Sequence, residues 1–169
     1  MGVGIVDAVA TALATGFYLS YIPGKLLSGI GRRKYTGAGL IGTLEGWALV
    51  LLLPKEPAAY AAVLAAAIAL SCWLCGRAEL ALKSHDDSRI VLDEIVGYWS
   101  AVAFLPKTPH IMIASFLLFR LLDTVKLPPY GWLERLPGGY GIVLDDVGAG
   151  AVSNLLLRAA IPHCLWLAT

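Results

Sequence analysis

The sequence contains little charge. Only 15% of its 169 residues are Asp, Glu, Lys or Arg, and the formal net charge is +1, whereas an ordinary soluble domain is about 25% charged. No long basic run occurs, which argues against a nucleic-acid partner. Hydrophobic residues make up 58% of the chain, and the mean hydropathy is +0.73. This composition argues against a water-soluble single-core fold and indicates a membrane protein.

Cysteine is also scarce, with 3 residues in the chain. Cys72 and Cys75 form a C-W-L-C pattern inside an apolar stretch. A zinc site would need two further ligands, and the sequence offers no second CxxC and no nearby histidine. The pair is therefore interpreted as helix packing.

Long apolar stretches divide the chain into about six candidate membrane helices. They cover residues 4–22, 38–53, 58–75, 90–105, 111–125 and 147–166. Several are short, since residues 90–105 would span about 24 Å as a helix against a hydrocarbon core of about 30 Å. The predicted fold class is all-α: one domain over residues 1–169, a polytopic membrane bundle of about six short transmembrane or interfacial helices.

Basic residues favour one side of this plan. Only Lys55 and Lys107 flank the helices on one side. The residues that flank them on the other side are Lys25, Arg32, Arg33, Lys34, Arg77, Lys83, Arg89, Lys126 and Arg135. Cytoplasmic loops of membrane proteins carry the excess of Lys and Arg. The richer side is therefore predicted to be cytoplasmic, with both termini outside.

Acidic residues converge on the predicted cytoplasmic side. Asp93 precedes the turn at 106–109 by about as many positions as Asp123 follows it, so a helical hairpin places both at the same depth. Asp145 and Asp146 open the last helix on that side. With Glu94, three helix ends are expected to bring five carboxylates together.

Five neighbouring carboxylates repel one another unless a cation neutralises them. Hard oxygen ligands favour Mg²⁺ or a similar divalent ion, so Asp93, Glu94, Asp123, Asp145 and Asp146 are the candidate metal ligands. Adjacent helical residues point about 100° apart. Asp93 and Glu94 can therefore share one ion only if the helix is distorted, or if one of them holds a group that contacts the ion rather than the ion itself. The alternative is that each acid is solvated or pairs with Arg89, Arg120 or Lys126.

Several residues near these acids are suited to phosphate chemistry. Arg120 and Lys126 are candidates to bind phosphate, the first through its planar fork and the second as a point charge. Arg120 also lies three residues from Asp123, which fits a structural salt bridge equally well. The glycine-rich segment 138–141, including Gly139, can present backbone N–H groups to an anion. His85, beside Asp86, is a candidate acid or base.

Three ordered motifs carry a family resemblance over residues 84–152. Residues 85–99 read HDDSRIVLDEIVGYW, which resembles H-D-x(3)-I-V-x-D-E-x-x-G-x-W; FRLLD at 119–123 is followed by Lys126 and Pro128, and GGYGIVLDDV occupies 138–147. The sequence resembles the phosphatidylglycerophosphatase A family of bacterial membrane lipid phosphatases.

The first half of the chain fits that family less closely. The family's early G-x-x-P-x-x-P-G-T-x-G-S element corresponds either to residues 19–24 or to residues 42–46, and residues 25–39 between them resemble an insertion. If 42–46 is the equivalent, Thr43 joins the phosphate-binding set. Glu45 then replaces a small residue and adds a carboxylate to the site.

The resemblance implies Mg²⁺-dependent hydrolysis of the terminal phosphomonoester of phosphatidylglycerophosphate, yielding phosphatidylglycerol and phosphate. His85, Asp86 and Asp93 are the catalytic candidates, and direct attack by water and an aspartyl-phosphate intermediate both fit. The expected partners are the phospholipid substrate and the bilayer of the bacterial inner membrane, with the site facing the cytoplasm. So small a bundle also leaves room for a homo-oligomer.

Three alternatives stay open from sequence alone. A phosphatase of the same family can act on another phosphomonoester, because these motifs read phosphate and metal rather than the rest of the substrate. A small cation transporter would carry its acids near the membrane midplane, often in repeated halves, whereas here they crowd at one surface and no internal repeat is seen. A purely structural membrane subunit would have no activity to lose when the acids are neutralised.

Overall fold

A computed structural model of the protein describes residues 4–26, 37–84, 87–125, 128 and 130–163. Every regular element within these ranges is helical, which confirms the all-α prediction. The helices are α1 (Ile5–Ala14), α2 (Tyr21–Leu26), α3 (Ala38–Val50), α4 (Pro57–Leu82), α5 (Leu92–Ala101), α6 (Pro109–Val125) and α7 (Gly139–Ala160), with 3₁₀ helices at Tyr130–Arg135 and Ile161–His163.

Two of the described helical segments are long and apolar enough to cross a membrane. They are Pro57–Leu82 and Gly139–His163, with mean hydropathies of 2.0 and 1.2 over their most apolar windows. The helices α1 and α3 are apolar but have only 10 and 13 residues. The chain therefore combines two helices of membrane-spanning length with shorter apolar helices packed around them.

The first apolar stretch does not form one helix, contrary to the prediction for residues 4–22. Helix α1 ends at Ala14, and the backbone then turns through Gly16, Phe17 and Tyr18, all three with positive φ. Gly16 takes this conformation without the steric cost that a side chain imposes. The turn separates α1 from the short helix α2.

Helix α4 continues beyond the predicted stop at Gly76 and Arg77. It ends at Leu82, followed by Lys83 in a left-handed conformation. Two tertiary interactions hold the added turns: Arg77 forms a salt bridge with Asp7 of α1, and Ala78 is fully buried. Cys72 and Cys75 of this helix are free thiols buried in the hydrophobic core, in agreement with the packing interpretation.

Helix α7 begins eight residues earlier than predicted, at Gly139 rather than at residue 147. Ile142 and Val143 are buried in its first turns, so this segment is an internal part of the fold and not a loop. Asp145 and Asp146 consequently project from within the helix.

Helix α5 lies at the centre and contacts α7 through glycine. A side chain at Gly150 would collide with the backbone at Gly97, and one at Gly97 would meet the Phe119 ring and the Asp146 carbonyl. The two backbones therefore approach closely, and the fully buried Tyr98 and Phe119 fill the core beside them. This packing places the start of α5 beside the acidic turn of α7.

Helix α3 covers another side of α5. Added side chains at Gly42 and Gly46 would meet Val91 and Ile95, so these glycines allow the close contact. The first turn of α3 is thereby placed beside the first turn of α5, where the acids begin.

Candidate metal and phosphate site

A cavity of about 560 Å³ opens where the first turns of α3 and α5 meet the end of α6 and the second turn of α7. All five predicted carboxylates line it: Asp93, Glu94, Asp123, Asp145 and Asp146. The hairpin of α5 and α6 therefore places Asp93 and Asp123 at one depth, and α7 adds its acidic pair.

Three of these carboxylates form a tight group. Asp93, Glu94 and Asp146 each offer an oxygen, and these oxygens lie within 4.8 Å of one another. Asp93 and Asp146 are only 8% and 5% exposed. Within the described residues, Oδ1 of Asp93, Oε2 of Glu94 and Oδ2 of Asp146 have no hydrogen-bond partner. Buried acceptors are normally satisfied, so this group is suited to a cation.

Asp93 and Glu94 reach this group from the first turn of α5, which is a continuous α-helix from Leu92 to Ala101. Glu94 has one more methylene than Asp93, which lets its carboxylate reach further around the helix. The positive end of the α5 dipole also favours acids in this turn. Both neighbours therefore contribute an oxygen within a regular helix.

Arg120 lies at the edge of the carboxylate group. Its Nη1 donates to Oδ2 of Asp123 at 2.7 Å and lies 4.0 Å from Oε1 of Glu94. The structural salt bridge that sequence spacing suggested is therefore present, and the same guanidinium also lines the cavity. A basic group suited to phosphate stands directly beside the acids.

Gly39 is a site residue that the sequence reasoning missed. It lines the cavity, and a Cβ there would lie 3.0 and 3.1 Å from the two terminal nitrogens of Arg120 and would collide with the Glu94 carboxylate. The absence of a side chain therefore leaves room for both groups. Residues 25–39 resembled an insertion, and only the packing of α3 on α5 reveals this contact.

Asp87 and Ser88 also line the cavity and were not assigned a role. The Asp87 carboxylate accepts bonds from Nε and Nη2 of Arg89 at 2.7 and 2.6 Å. These bonds hold the pKa of Asp87 below its usual range. Asp87 is therefore an ionised residue of the cavity wall that is already paired with Arg89.

Thr43, Gly139 and Glu45 lie away from the cavity lining. The buried Thr43 hydroxyl donates to the Gly39 carbonyl at 2.9 Å, so it supports the first turn of α3 from within the helix. Gly139 packs on the α4 backbone at Cys72, so a side chain at this position would collide with that backbone. Glu45 lies against Gly16.

Four parts of the sequence prediction fall outside the described residues. They are His85, Asp86, Lys126 and most of the segment that resembles an insertion, residues 27–36. The described part of the site is therefore the carboxylate group, Arg120 and the walls around them.

Comparison with known proteins identifies the family. A sequence model described as Phosphatidylglycerophosphatase A matches residues 8–161. The chain belongs to the phosphatidylglycerophosphatase A family. The matched segment contains all five carboxylates of the cavity, Arg120 and Gly39. The proteins named phosphatidylglycerophosphatase A are phosphomonoester hydrolases.

Curated relatives cover most of the chain. Phosphatidylglycerophosphatase A of Escherichia coli K12 is 33% identical over 121 residues, which is 70% of this chain and 69% of that protein. Phosphatidylglycerophosphatase A of Haemophilus influenzae is 32% identical, covering 73% and 76%. A Bacteroides thetaiotaomicron protein with the provisional name phosphatidylinositol-3-phosphatase is 32% identical, covering 74% and 81%. No solved structure gives a significant match.

Proposed function

We propose that this enzyme hydrolyses the terminal phosphomonoester of phosphatidylglycerophosphate with Mg²⁺, forming phosphatidylglycerol and phosphate in phospholipid biosynthesis. The observation that carries the proposal is the group of Asp93, Glu94 and Asp146, two of them buried, with Arg120 beside it. This arrangement combines acceptors for a cation with a donor for phosphate. The names of the E. coli and H. influenzae relatives support the choice of substrate.

The donor set fits a hard divalent cation. Asp93, Glu94 and Asp146 supply only carboxylate oxygens, which Mg²⁺ prefers, and no histidine or cysteine joins them in the described residues. Asp123 and Asp145 line the same cavity, where they would supply further oxygen ligands or accept hydrogen bonds from groups bound to the cation. When bound, the cation would neutralise these carboxylates and so allow a phosphate dianion to enter the cavity.

Arg120 is proposed to bind the phosphoryl group. Its Nη1 is bonded to Asp123, which fixes the guanidinium plane, and the fork retains further N–H donors. A planar fork matches two phosphate oxygens and offsets charge that develops during transfer. Asp123 therefore positions Arg120, and Gly39 keeps the space between Arg120 and Glu94 open.

The remaining roles follow the family motif. His85 and Asp86 are proposed to transfer protons to the leaving glycerol oxygen and from the attacking group, and Lys126 is proposed to bind a phosphate oxygen. Asp93 is the candidate nucleophile if the reaction passes through an aspartyl-phosphate. Thr43 and Gly139, the other two phosphate-binding candidates, are proposed to act from outside the cavity lining, Thr43 through its bond to the Gly39 carbonyl and Gly139 through its packing on α4.

The proposed setting is the bacterial inner membrane, crossed several times, with the acidic cavity facing the cytoplasm. The two helices of spanning length, the apolar α1 and α3, and the concentration of Lys and Arg on one side support this topology. A site at that surface can take a polar headgroup while the acyl chains stay in the bilayer.

A phosphorylated inositol lipid is the second candidate substrate. The provisional name of the Bacteroides relative favours it, and that alignment covers 81% of that protein. A carboxylate and arginine cavity binds a phosphomonoester in either headgroup. The choice therefore depends on the part of the substrate beyond the phosphate.

The test is phosphate release by the purified enzyme in detergent micelles. Equal concentrations of phosphatidylglycerophosphate, phosphatidylinositol 3-phosphate and glycerol 3-phosphate are compared, each with Mg²⁺ and with EDTA. We expect the highest kcat/KM for phosphatidylglycerophosphate and loss of activity in EDTA. A higher kcat/KM for the inositol lipid would replace the proposed substrate, and full activity in EDTA would refute the metal requirement.

A further inference from the structure

A second cavity, of about 480 Å³, lies at the other end of the bundle. Two segments form its walls: one leads into the start of α4 and the other follows α5. The lining residues are Pro54, Lys55, Pro57, Tyr60, Phe104, Leu105, Pro106 and Lys107. Helix α5 separates the two cavities, because the acids occupy its first turn and this cavity follows its last. Ten helical residues correspond to about 15 Å.

The polar part of this cavity is positively charged. Lys55 and Lys107 both line it, no carboxylate does, and neither lysine forms an ion pair with another described residue. The acid next in sequence, Glu56, instead accepts the backbone N–H groups of Ala58 and Ala59 as the N-cap of α4. Burial, with the charge of Lys55, lowers the pKa of Lys107. An anion between the two ammonium groups would remove this repulsion.

Lys107 is held in place by the fold. Its Nζ donates to the carbonyl of Val50, at the end of α3, at 3.3 Å and lies 4.8 Å from the centroid of the Tyr60 ring. Tyr60 is itself buried and donates its hydroxyl to the Trp99 carbonyl at 2.7 Å. An ammonium has three donors, so Lys107 keeps donors for a ligand while its position is fixed.

Phe104 forms an exposed apolar wall at a cost in backbone energy. Its φ is +58°, a region that bulky residues rarely adopt, yet 51% of the residue is exposed. The turn is held by Asn154, whose Nδ2 donates to the carbonyls of Ala101 and Ala103 at 2.9 Å, and by Arg158, whose Nη2 donates to Ala103 at 3.0 Å. The fold thus maintains an aromatic surface beside two lysines.

We propose that this cavity binds the anionic phosphodiester headgroup of a phospholipid, with its phosphate between Lys55 and Lys107 and its first acyl methylenes against Phe104 and Leu105. A free inorganic anion would use the lysines but leave the apolar wall empty. The cavity also lies at the start of α4, a helix apolar and long enough to enter a bilayer. This site is separate from the proposed phosphatase site.

The test is native mass spectrometry of the full chain released from micelles containing equal amounts of phosphatidylserine and phosphatidylcholine. Both lipids carry a phosphodiester and no phosphomonoester, but only phosphatidylserine has a net negative charge. We expect the wild type to retain phosphatidylserine, and Lys55→Gln/Lys107→Gln to reduce that retention about tenfold, which corresponds to the loss of charged hydrogen bonds. A third arm adds inorganic phosphate, which is expected not to displace the lipid.

The control is Lys83→Gln/Arg135→Gln, which removes the same charge away from this cavity and is expected to retain phosphatidylserine as the wild type does. Because Lys107 also bonds to Val50, Lys55→Gln alone provides a variant that leaves the described contacts intact and is expected to show a partial loss. Equal retention of the two lipids by the wild type, retention unaffected by either lysine variant, the same loss in the control, or displacement by inorganic phosphate would overturn the proposal.

Discussion

Arg120 owes its proposed role to the shape of its side chain as well as to its charge. Arg120→Lys keeps one positive charge but loses the fork that bonds Asp123 and faces the cavity. We expect kcat for phosphate release to fall about tenfold or more, because a charged hydrogen bond contributes about 1.5–3 kcal/mol. Unchanged kcat would show that Arg120 serves only as a local salt bridge.

Gly39 should be sensitive to the smallest side chain. In Gly39→Ala the new methyl group would push against Arg120 and the Glu94 carboxylate. We expect kcat/KM to fall about tenfold, since small displacements of binding groups lower rates strongly. Gly24→Ala is the matched control, because a Cβ at Gly24 has no neighbour within 4 Å. If both variants retain wild-type kcat/KM, the space at Gly39 has no function.

The candidate acids could be predicted because their order and depth follow from the sequence. Asp93 and Asp123 lie at similar sequence distances on either side of one turn. This spacing does not depend on where the helices begin and end. Gly39 could not be found in this way, since its role comes from the approach of α3 to α5. The phosphate roles predicted for Thr43 and Gly139 came from motif position and from a glycine cluster, and neither residue lines the cavity.

At the scale of elements, α5 and α7 form the frame of the site. Gly150→Ala would place a methyl group against the backbone of Gly97. We expect a loss of about 1–3 kcal/mol in the free energy of unfolding, because the close helix contact must open. Thermal unfolding in detergent measures it, with the exposed neighbour Ala151→Ser as control. Equal melting temperatures for the two variants would contradict the close packing.

Helix existence was predictable from apolar runs, but several helix ends were not. The extension of α4 depends on the contact of Arg77 with Asp7, 70 positions away in sequence. The early start of α7 depends on burial of Ile142 and Val143. The break after α1 lies in a stretch that stays apolar, so hydropathy carried no signal for it. Tertiary contacts decide these boundaries.

At the scale of the whole molecule, the two cavities should open to opposite sides of the membrane. We expect Arg135→Cys, near the acidic cavity, to be protected in intact cells from a membrane-impermeant maleimide, and Lys55→Cys to react. Both are made with Cys164→Ser, since the other two cysteines are buried. Reaction of Arg135→Cys in intact cells with protection of Lys55→Cys would reverse the proposed orientation.

The carboxylate group is the proposed metal-dependent centre of phosphate release, and this assignment can be tested directly. The direct measurement is the rate of phosphate release from phosphatidylglycerophosphate over a range of Mg²⁺ concentrations for the wild type, Asp93→Asn, Asp146→Asn and the exposed-acid control Glu56→Gln. We predict Mg²⁺-dependent release by the wild type and control, and rates at least about 100-fold lower in both Asp variants. Folded Asp variants that release phosphate at the wild-type rate with the same Mg²⁺ dependence would contradict it.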